Sequence, residues 1–207
     1  GVNYGNRNAE YKDGSDLPKY PSIFVRFPGS LVGHGRPLMR PKESEQLDYE
    51  GEIAIVIGKG GRRIAEAEAE SHIAGLTCCN EGTMRDWTRH GKFNVTQGKT
   101  WEASGSIGPW LVTADEVADP QNLKMWLEVD GKRYQDGSTK TMVFGVRTLV
   151  SCASQFMSLN PGDVISTGTP PGVGMGQKPE PIYLKGGEVM RLGIEGLGEQ
   201  TQRVGRA

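Results

Sequence analysis

Thirty glycines are distributed along the 207 residues of the chain and are not collected in a linker. They separate short runs rich in Val, Ile, Phe and Trp, a pattern typical of many strands joined by tight turns. The length is enough for one substantial core and leaves little room for a second. The sequence therefore predicts one domain over residues 1–207, of the α+β class and mainly β.

Charge and hydropathy narrow the kinds of partner. Lys and Arg total 24 against 25 for Asp and Glu, so no net field draws the chain to nucleic acid or an anionic membrane. No stretch approaches the roughly 20 apolar residues that span a bilayer, and the three cysteines match no disulfide framework or zinc spacing. We expect a cytoplasmic protein that binds a small molecule. The abrupt start at Gly1 predicts further residues upstream in the native protein.

Local patterns predict individual elements. Asp130 and Gly131 separate two strand-like runs over 123–134, which is a strong signal for a hairpin with a two-residue turn. Alternation and helical spacing predict further elements: strands over 48–58, 76–79, 163–167 and 188–195, and helices over 65–73, 83–90 and 146–157.

The strand predicted over 48–58 carries two acids on one face. Glu50 and Glu52 share that face with the apolar side chains of Ala54 and Val56. Two carboxylates about 4 Å apart repel by roughly 4 kcal/mol at an effective dielectric near ~20, a cost that a hard dication with oxygen ligands can reverse. Mg²⁺ or Mn²⁺ fits such an all-oxygen site. The alternative is a strand whose acidic face is exposed to water.

A third acid, Glu81, follows the apolar run 76–79 and is expected at the end of a buried strand, where functional sites gather. It could equally be the first-turn acid of a following helix, stabilised by the helix dipole. A glycosidase that uses Glu50 and Glu52 is disfavoured, because two acids on one strand face do not flank a sugar bond.

Several motifs occur in an order that resembles the fumarylacetoacetate hydrolase family. They extend over nearly the whole chain and are jointly specific: Asn3-Tyr4-x-x-Arg7-x-x-Glu10, Asp48-Tyr49-Glu50-Gly51-Glu52, Glu81-x-x-x-Arg85-Asp86, Gly98-Lys99 and Thr167-Gly168-Thr169-Pro170. Bacterial members that act on 2-hydroxyhepta-2,4-diene-1,7-dioate look most similar.

The resemblance implies the mixed β-sandwich and β-roll fold of the family's C-terminal domain, often as a homodimer, with one Mg²⁺ (or Mn²⁺) held by three acids. At the matching positions these are Glu50, Glu52 and Glu81. The family usually has Asp at the third position. Glu81 is one methylene longer, which would shift the metal slightly, or Asn80 would take the ligand position if the strand register slips by one.

Arg85, Lys99 and Thr169 match residues that hold the carboxylate and oxo oxygens of a pyruvyl group. Their chemistry agrees, because Arg and Lys donate charge-assisted hydrogen bonds and the residues around Thr169 let a turn approach the ligand. Without the family context Lys99 would be interpreted as an exposed loop lysine and Thr169 as an ordinary turn residue. Asp86 is expected to have a structural role, paired with Arg85 or Arg89.

Position 7 departs from the family, in which a His paired with the acid at position 10 is usual. Arg7 stays protonated at neutral pH, so it cannot accept a proton from water as imidazole can. It could instead orient Glu10 or bind a distal substrate carboxylate, while Glu10 alone could serve as the base. His34 and His90 are the candidate replacements for the missing His, and His72 is interpreted as a surface or packing residue.

The resemblance therefore implies an enzyme that acts on 2-oxo or 2-hydroxy-dienoate dicarboxylic acids through an enolate bound to the metal. An isomerase or a C–C hydrolase of aromatic catabolism is the leading hypothesis, and Arg7 favours chemistry that needs no activated water. An acylpyruvate hydrolase or an oxaloacetate decarboxylase is the alternative among enzymes. From a different class, a non-catalytic metal-binding homologue is the alternative.

Overall fold

The computed structural model describes residues 1–5, 7, 10 and 16–207. The structure is mainly β, as predicted, and its strands in chain order are β1 Leu31–Gly33, β2 Leu38–Arg40, β3 Leu47–Asp48, β4 Gly51–Ile57, β5 Ile73–Asn80, β6 Thr83–Met84, β7 Gly105–Ile107, β8 Val112–Thr113, β9 Lys124–Val129, β10 Lys132–Ser138, β11 Val164–Ser166, β12 Val189–Ile194 and β13 Gly198–Arg206.

The first sheet has the strand order β1-β7-β5-β4-β11, with β8 paired to β5. The central strands β4 and β5 are antiparallel and place Glu52 opposite Cys79. Both faces of β4 are buried along almost its whole length, which explains why its sequence is nearly continuously apolar after the two acids. The strands predicted over 48–58, 76–79 and 163–167 all belong to this sheet.

The second sheet has the order β10-β9-β12-β13-β2. Its β9–β10 hairpin turns at Asp130 and Gly131, whose φ angles of 50° and 77° are the left-handed conformations that this turn requires. The prediction from the Asp-Gly pair is therefore confirmed. Leu127 and Leu192 of this sheet pack against β4 at Gly51, where a Cβ would lie 2.8 Å from Leu192 Cδ1. The two sheets thus enclose the core with little space between them.

The α-helices of the described ranges are α1 Val95–Lys99 and α2 Val146–Phe156. The second confirms the helix predicted over 146–157. The predicted helix over 65–73 is a 3₁₀ helix, Glu66–His72, because so short a segment gains little from α-helical propagation before it enters β5. No helix in the described part of the chain is long and apolar enough to cross a membrane.

The helix predicted over 83–90 is largely wrong. Thr83 and Met84 form strand β6, which pairs with β3, and only Trp87–Arg89 is helical, as a single 3₁₀ turn. The backbone groups of residues 83 and 84 are satisfied by the neighbouring strand, so tertiary pairing overrides the local helical pattern. Glu81 is therefore not a first-turn acid but lies in the connection between β5 and β6.

Candidate active site

Three buried carboxylates meet at the ends of β4 and β5. The antiparallel register places Glu52 opposite Cys79, and the Glu81 backbone N–H donates to the carbonyl of Glu50 at 2.9 Å. Glu50 and Glu52 are each 5% exposed and Glu81 is 4% exposed. The alternative of a water-exposed acidic face is therefore wrong, because cationic side chains lie against Glu50 and the Gly168 backbone lies against Glu52.

Glu50 is surrounded by cationic side chains. Its Oε2 lies 2.5 Å from Lys99 Nζ, and its Oε1 lies 2.6 Å from Arg85 Nη2 and 3.6 Å from Arg7 Nη2. Burial alone would raise the pKa of Glu50, but Lys99, Arg85 and Arg7 outweigh it and hold the pKa well below its usual range. This carboxylate is ionised at neutral pH.

Lys99 is the last residue of helix α1, whose N-terminus is capped by the side chain of Asn94. Besides Glu50 it contacts Glu81 twice: Nζ donates to the backbone carbonyl at 2.8 Å and lies 3.4 Å from Oε2. Burial would lower the pKa of Lys99, but the carboxylates of Glu50, Glu81 and Glu52 raise it above its ordinary value. A buried ammonium therefore joins two of the three acids, and Lys99 is not the exposed loop lysine of the alternative interpretation.

Glu52 has a different environment. Its Oε2 accepts a hydrogen bond from the Gly168 backbone N–H at 2.7 Å, and within the described ranges no Lys, Arg or His nitrogen lies at ion-pair distance from it. Burial, with the charges of Glu81 and Glu50, raises the pKa of Glu52 to about 8. The φ of +96° at Gly168 lets the turn point its N–H at the carboxylate.

Glu81 is held on both oxygens. Its Oε1 accepts from Ser166 Oγ at 3.1 Å, while its Oε2 lies 3.4 Å from both Lys99 Nζ and Arg26 Nη1. Burial would raise the pKa of Glu81, but Lys99 and Arg26 lower it. Arg26 was not predicted as a site residue, and it reaches the site from a segment without regular secondary structure.

Asp48 was also missed, although it belongs to the Glu-x-Glu motif. It accepts hydrogen bonds from Arg85 Nε at 2.7 Å and from the backbone N–H groups of Gly174 and Met175 at 2.6 and 3.0 Å. The guanidinium of Arg85 is thus fixed between Asp48 and Glu50. The signal that could have found Asp48 is its acidic side chain at the first residue of the strand predicted over 48–58.

Thr169 lies against the strand that carries the acids. Its hydroxyl donates to the Gly51 carbonyl at 2.9 Å and accepts from Gln135 Nε2 at 2.8 Å, while Gln135 Oε1 accepts from the Gly51 N–H at 2.9 Å. Gln135 thus connects the second sheet to β4 and to the Thr-Gly-Thr-Pro turn. The predicted contact of Thr169 with a substrate stays a prediction.

Arg7 and Glu10 form an ion pair at the site. Arg7 Nη1 lies 2.8 Å from Glu10 Oε2, and Glu10 Oε1 accepts from the Gly172 N–H at 2.7 Å. Arg7 is 1% exposed, so its charge is almost wholly removed from water. Burial raises the pKa of Glu10, against the opposing charge of Arg7. The expectation that Arg7 could orient Glu10 agrees with this geometry.

The histidines considered as replacements for the missing base have other contacts. His34 Nδ1 accepts from the Thr201 N–H at 3.1 Å, whereas the exposed His90 stacks on Trp87 at 3.9 Å between ring centroids. His72 is buried and bonded to the Lys59 carbonyl at 2.8 Å, which confirms a packing role.

Two further expectations concern Asn80 and Asp86. Asn80 Oδ1 accepts from the Glu50 N–H at 2.9 Å, and its alternative role as a metal ligand stays a prediction. Asp86 has a structural role as expected, but it accepts hydrogen bonds from Ser44 Oγ at 2.7 Å and from the Trp87 N–H at 3.1 Å rather than pairing with Arg89.

The donor set fits a hard divalent cation by its chemistry. Around the site lie five acids and four basic side chains, namely Glu10, Asp48, Glu50, Glu52 and Glu81, and Arg7, Arg26, Arg85 and Lys99. The acid without an ion-pair partner is Glu52, a buried oxygen donor of the kind that Mg²⁺ prefers. In the described ranges no three His, Cys, Asp or Glu side chains already stand in an arrangement that could hold a metal ion, so binding would require the carboxylates to reorient.

Comparison with known proteins identifies the class. A family model described as fumarylacetoacetate (FAA) hydrolase C-terminal matches residues 1–205. The chain therefore belongs to the fumarylacetoacetate hydrolase family, which confirms the resemblance seen in the motifs and the fold that it implied. A relative from Burkholderia orbicola, named "Putative hydrolase", is 49% identical over 207 residues, which are 100% of this chain and 73% of that protein.

Solved structures of both isomerases and hydrolases are similar. The fumarylacetoacetate hydrolase of Exiguobacterium antarcticum has 38% identity and a TM-score of 0.88 over 99% of this chain and 73% of that one. The 5-carboxymethyl-2-hydroxymuconate delta-isomerase of Mycobacterium smegmatis has 32% identity and a TM-score of 0.86 over 100% of this chain and 77% of that one. The 2-hydroxyhepta-2,4-diene-1,7-dioate isomerase of Mycobacterium marinum has 33% identity and a TM-score of 0.83 over 99% of this chain and 72% of that one.

Proposed function

We propose that this chain is the catalytic part of a divalent-metal-dependent isomerase or C–C hydrolase that acts on small 2-oxo or 2-hydroxy-dienoate dicarboxylic acids. The observation that carries the proposal is Glu52, a buried carboxylate without an ion-pair partner among the described residues, next to Glu50 and Glu81. Burial raises the pKa of Glu52 to about 8, so the metal-free carboxyl is mostly protonated at neutral pH, and a bound dication would favour its ionised form.

Glu50, Glu52 and Glu81 would hold the metal. A bound Mg²⁺ or Mn²⁺ would supply Lewis-acid polarisation of the 2-oxo group of the substrate. A dianionic substrate also suits the charge of the site, because a dication added to five acids and four cations leaves a net positive charge of one. The dicarboxylate named for the similar isomerase of Mycobacterium marinum, 2-hydroxyhepta-2,4-diene-1,7-dioate, is of this kind.

Lys99 and Arg85 would stabilise the negative charge that develops on the substrate. Lys99 is buried and the side chain of Arg85 is 10% exposed; both are already fixed by Glu50 and, for Arg85, by Asp48. Donors that are oriented in advance and shielded from water stabilise an enolate oxygen without reorganising during the reaction. Thr169 would donate to a carboxylate oxygen of the substrate by turning its hydroxyl proton away from the Gly51 carbonyl, to which it now donates.

Glu10 is the candidate base, because burial raises its pKa towards the working range of a proton acceptor. Arg7 next to it stays protonated and cannot activate water. Moving a proton within an enolate needs one carboxylate, whereas hydrolysis also needs an activated water. Arg7 therefore favours isomerisation, or decarboxylation of an oxaloacetate-like acid, over acylpyruvate hydrolysis.

The test is isothermal titration of metal-stripped protein with Mg²⁺ and Mn²⁺, with and without oxalate, a mimic of the pyruvate enolate. We expect metal binding that oxalate strengthens, and no measurable binding to Glu52→Gln, whose fold should be retained because an amide is nearly isosteric. The matched control is Glu199→Gln, a glutamate of β13 paired to Arg191 on the surface. No metal binding to the wild-type protein would overturn the proposal in favour of a non-catalytic homologue.

A further inference from the structure

An extended segment, Ile23 to Phe27, crosses the site with alternating side chains. Ile23, Val25 and Phe27 point outwards and are 40%, 57% and 59% exposed. Phe24 and Arg26 point inwards, and each meets one member of the Lys99–Glu81 pair. The Phe24 ring centroid lies 5.6 Å from Lys99 Nζ, and Arg26 Nη1 lies 3.4 Å from Glu81 Oε2.

The guanidinium of Arg26 is fully hydrogen-bonded. A guanidinium carries five N–H donors, and five acceptors surround this one. Nε donates to Ser30 Oγ at 2.8 Å, and Nη2 donates to the Ser30 carbonyl at 3.3 Å and to Ser104 Oγ at 2.9 Å. Nη1 donates to the Gly82 carbonyl at 3.0 Å and to Glu81 Oε2 at 3.4 Å. The orientation of the group is therefore determined on every edge.

The space for the guanidinium depends on a glycine. A Cβ at Gly105 would overlap Arg26 Nη2 and lie 2.7 Å from its Cζ. The side chain of Arg26 is 7% exposed, so the group lies under the surface against the backbone of β7. A planar group fits this narrow space, and its fork reaches Glu81, Gly82 and Ser104 together, which a single ammonium cannot do.

We propose that Arg26 is a positioning residue that fixes the carboxylate of Glu81 for metal binding. The inference rests on the proposed function, because it assigns Glu81 as a ligand. Ser166 holds Oε1, and Arg26 shares Oε2 with Lys99. Groups that hydrogen-bond to a metal ligand set its orientation, and their removal weakens metal affinity about 10- to 100-fold. Arg26 acts through Glu81 and does not itself bind the metal.

The experiment is calorimetric titration of Mn²⁺ into the metal-stripped protein and its Arg26→Gln and Arg26→Lys variants. We expect Arg26→Gln to weaken Mn²⁺ binding about 10- to 100-fold, and Arg26→Lys to fall between it and the wild type. Arg40→Gln is the matched control. Arg40 is also partly buried, but it donates to the carbonyls of Ser44 and Lys185 and not to a site acid.

A second variant keeps the test valid if Arg26→Gln does not fold. Ser104→Ala removes one acceptor of the fork and leaves the charge in place, so its Mn²⁺ affinity should fall by a smaller factor. Affinity equal to that of the wild type in folded Arg26→Gln, or in Ser104→Ala and Arg26→Lys together, would overturn the role of Arg26 while the proposed function stands. Absence of Mn²⁺ binding to the wild type overturns both.

Discussion

Glu50 and Glu52 are two residues apart and equally buried, yet their environments are opposite. Glu50 has Lys99 at 2.5 Å, with two arginines nearby, and its pKa is lowered. Glu52 has one backbone N–H, and its pKa is raised to about 8. Equal burial therefore does not give the two acids the same charge. The charge of each carboxyl is decided by the cations and hydrogen-bond donors next to it. The compensated acid organises the site, and the uncompensated one is the place for an added cation.

The largest effect is expected on the compensated side, for Lys99→Met. The change leaves Glu50 and Glu81 without their shared ammonium in a buried site. Removal of one partner from a buried ion pair costs about 3–5 kcal/mol, so the free energy of unfolding of the metal-free variant should fall by that order in urea titrations. Lys132→Met is the control, since Lys132 is exposed and its ammonium lies 4.8 Å from the centroid of the partly buried Tyr134 ring. Equal losses in both variants would contradict the special role of Lys99.

A pH-dependent effect, smaller for each pH unit than the loss expected for Lys99→Met, is expected on the uncompensated side. The carboxyl of Glu52 titrates near pH 8 in the folded protein and near 4.5 when unfolded. The unfolded chain therefore releases its proton first as the pH rises. Stability should be greatest at about pH 4.5 and fall towards pH 8, by at most about 1.4 kcal/mol per pH unit from this group.

The measurement is urea unfolding of the metal-stripped protein at several pH values, with Glu52→Gln as the comparison. In that variant the decline between pH 4.5 and 8 should be reduced. Glu50 acts in another window, because a lowered pKa makes its contribution disappear only below about pH 4.5. A wild-type decline that Glu52→Gln leaves unchanged would assign it to another group, such as Glu10, whose pKa is also raised.

The strand half of the site follows from the sequence. Alternation over 48–58 places Glu50 and Glu52 together, and the apolar run before Glu81 places it at a strand end. The Asp130-Gly131 turn predicts its hairpin, because only a few residue pairs adopt those dihedral angles with ease. These features depend on neighbouring residues in the chain, so local sequence patterns predict them.

The remaining half depends on contacts that no local pattern encodes. Lys99 ends a helix of five residues, which is too short to show a periodic signal, and its position was assigned only by the family motif. Arg26 lies in a segment without regular structure and meets Glu81 fifty-five positions away. The opposite environments of Glu50 and Glu52 could not be predicted either, because strand alternation gives the face on which a side chain lies but not its charged neighbours.

The smallest effect is expected for Arg7→His, which tests the reaction and not the fold. Arg7 lies between Glu10 and the compensated acid Glu50, at 2.8 and 3.6 Å. A histidine side chain is shorter than arginine, so it would no longer reach Glu50, which would keep its ion pairs with Lys99 and Arg85. Its imidazole could accept a proton beside Glu10. A well-positioned general base accelerates a reaction roughly 10²–10⁴-fold. We expect an unoptimised one to raise acylpyruvate hydrolysis by about tenfold, measured as pyruvate released under metal saturation. Arg7→Lys, which keeps the charge and supplies no imidazole, should give no gain. If neither variant gains hydrolysis, Arg7 is not what limits that reaction, and the preference for isomerisation must come from the other residues around Glu50.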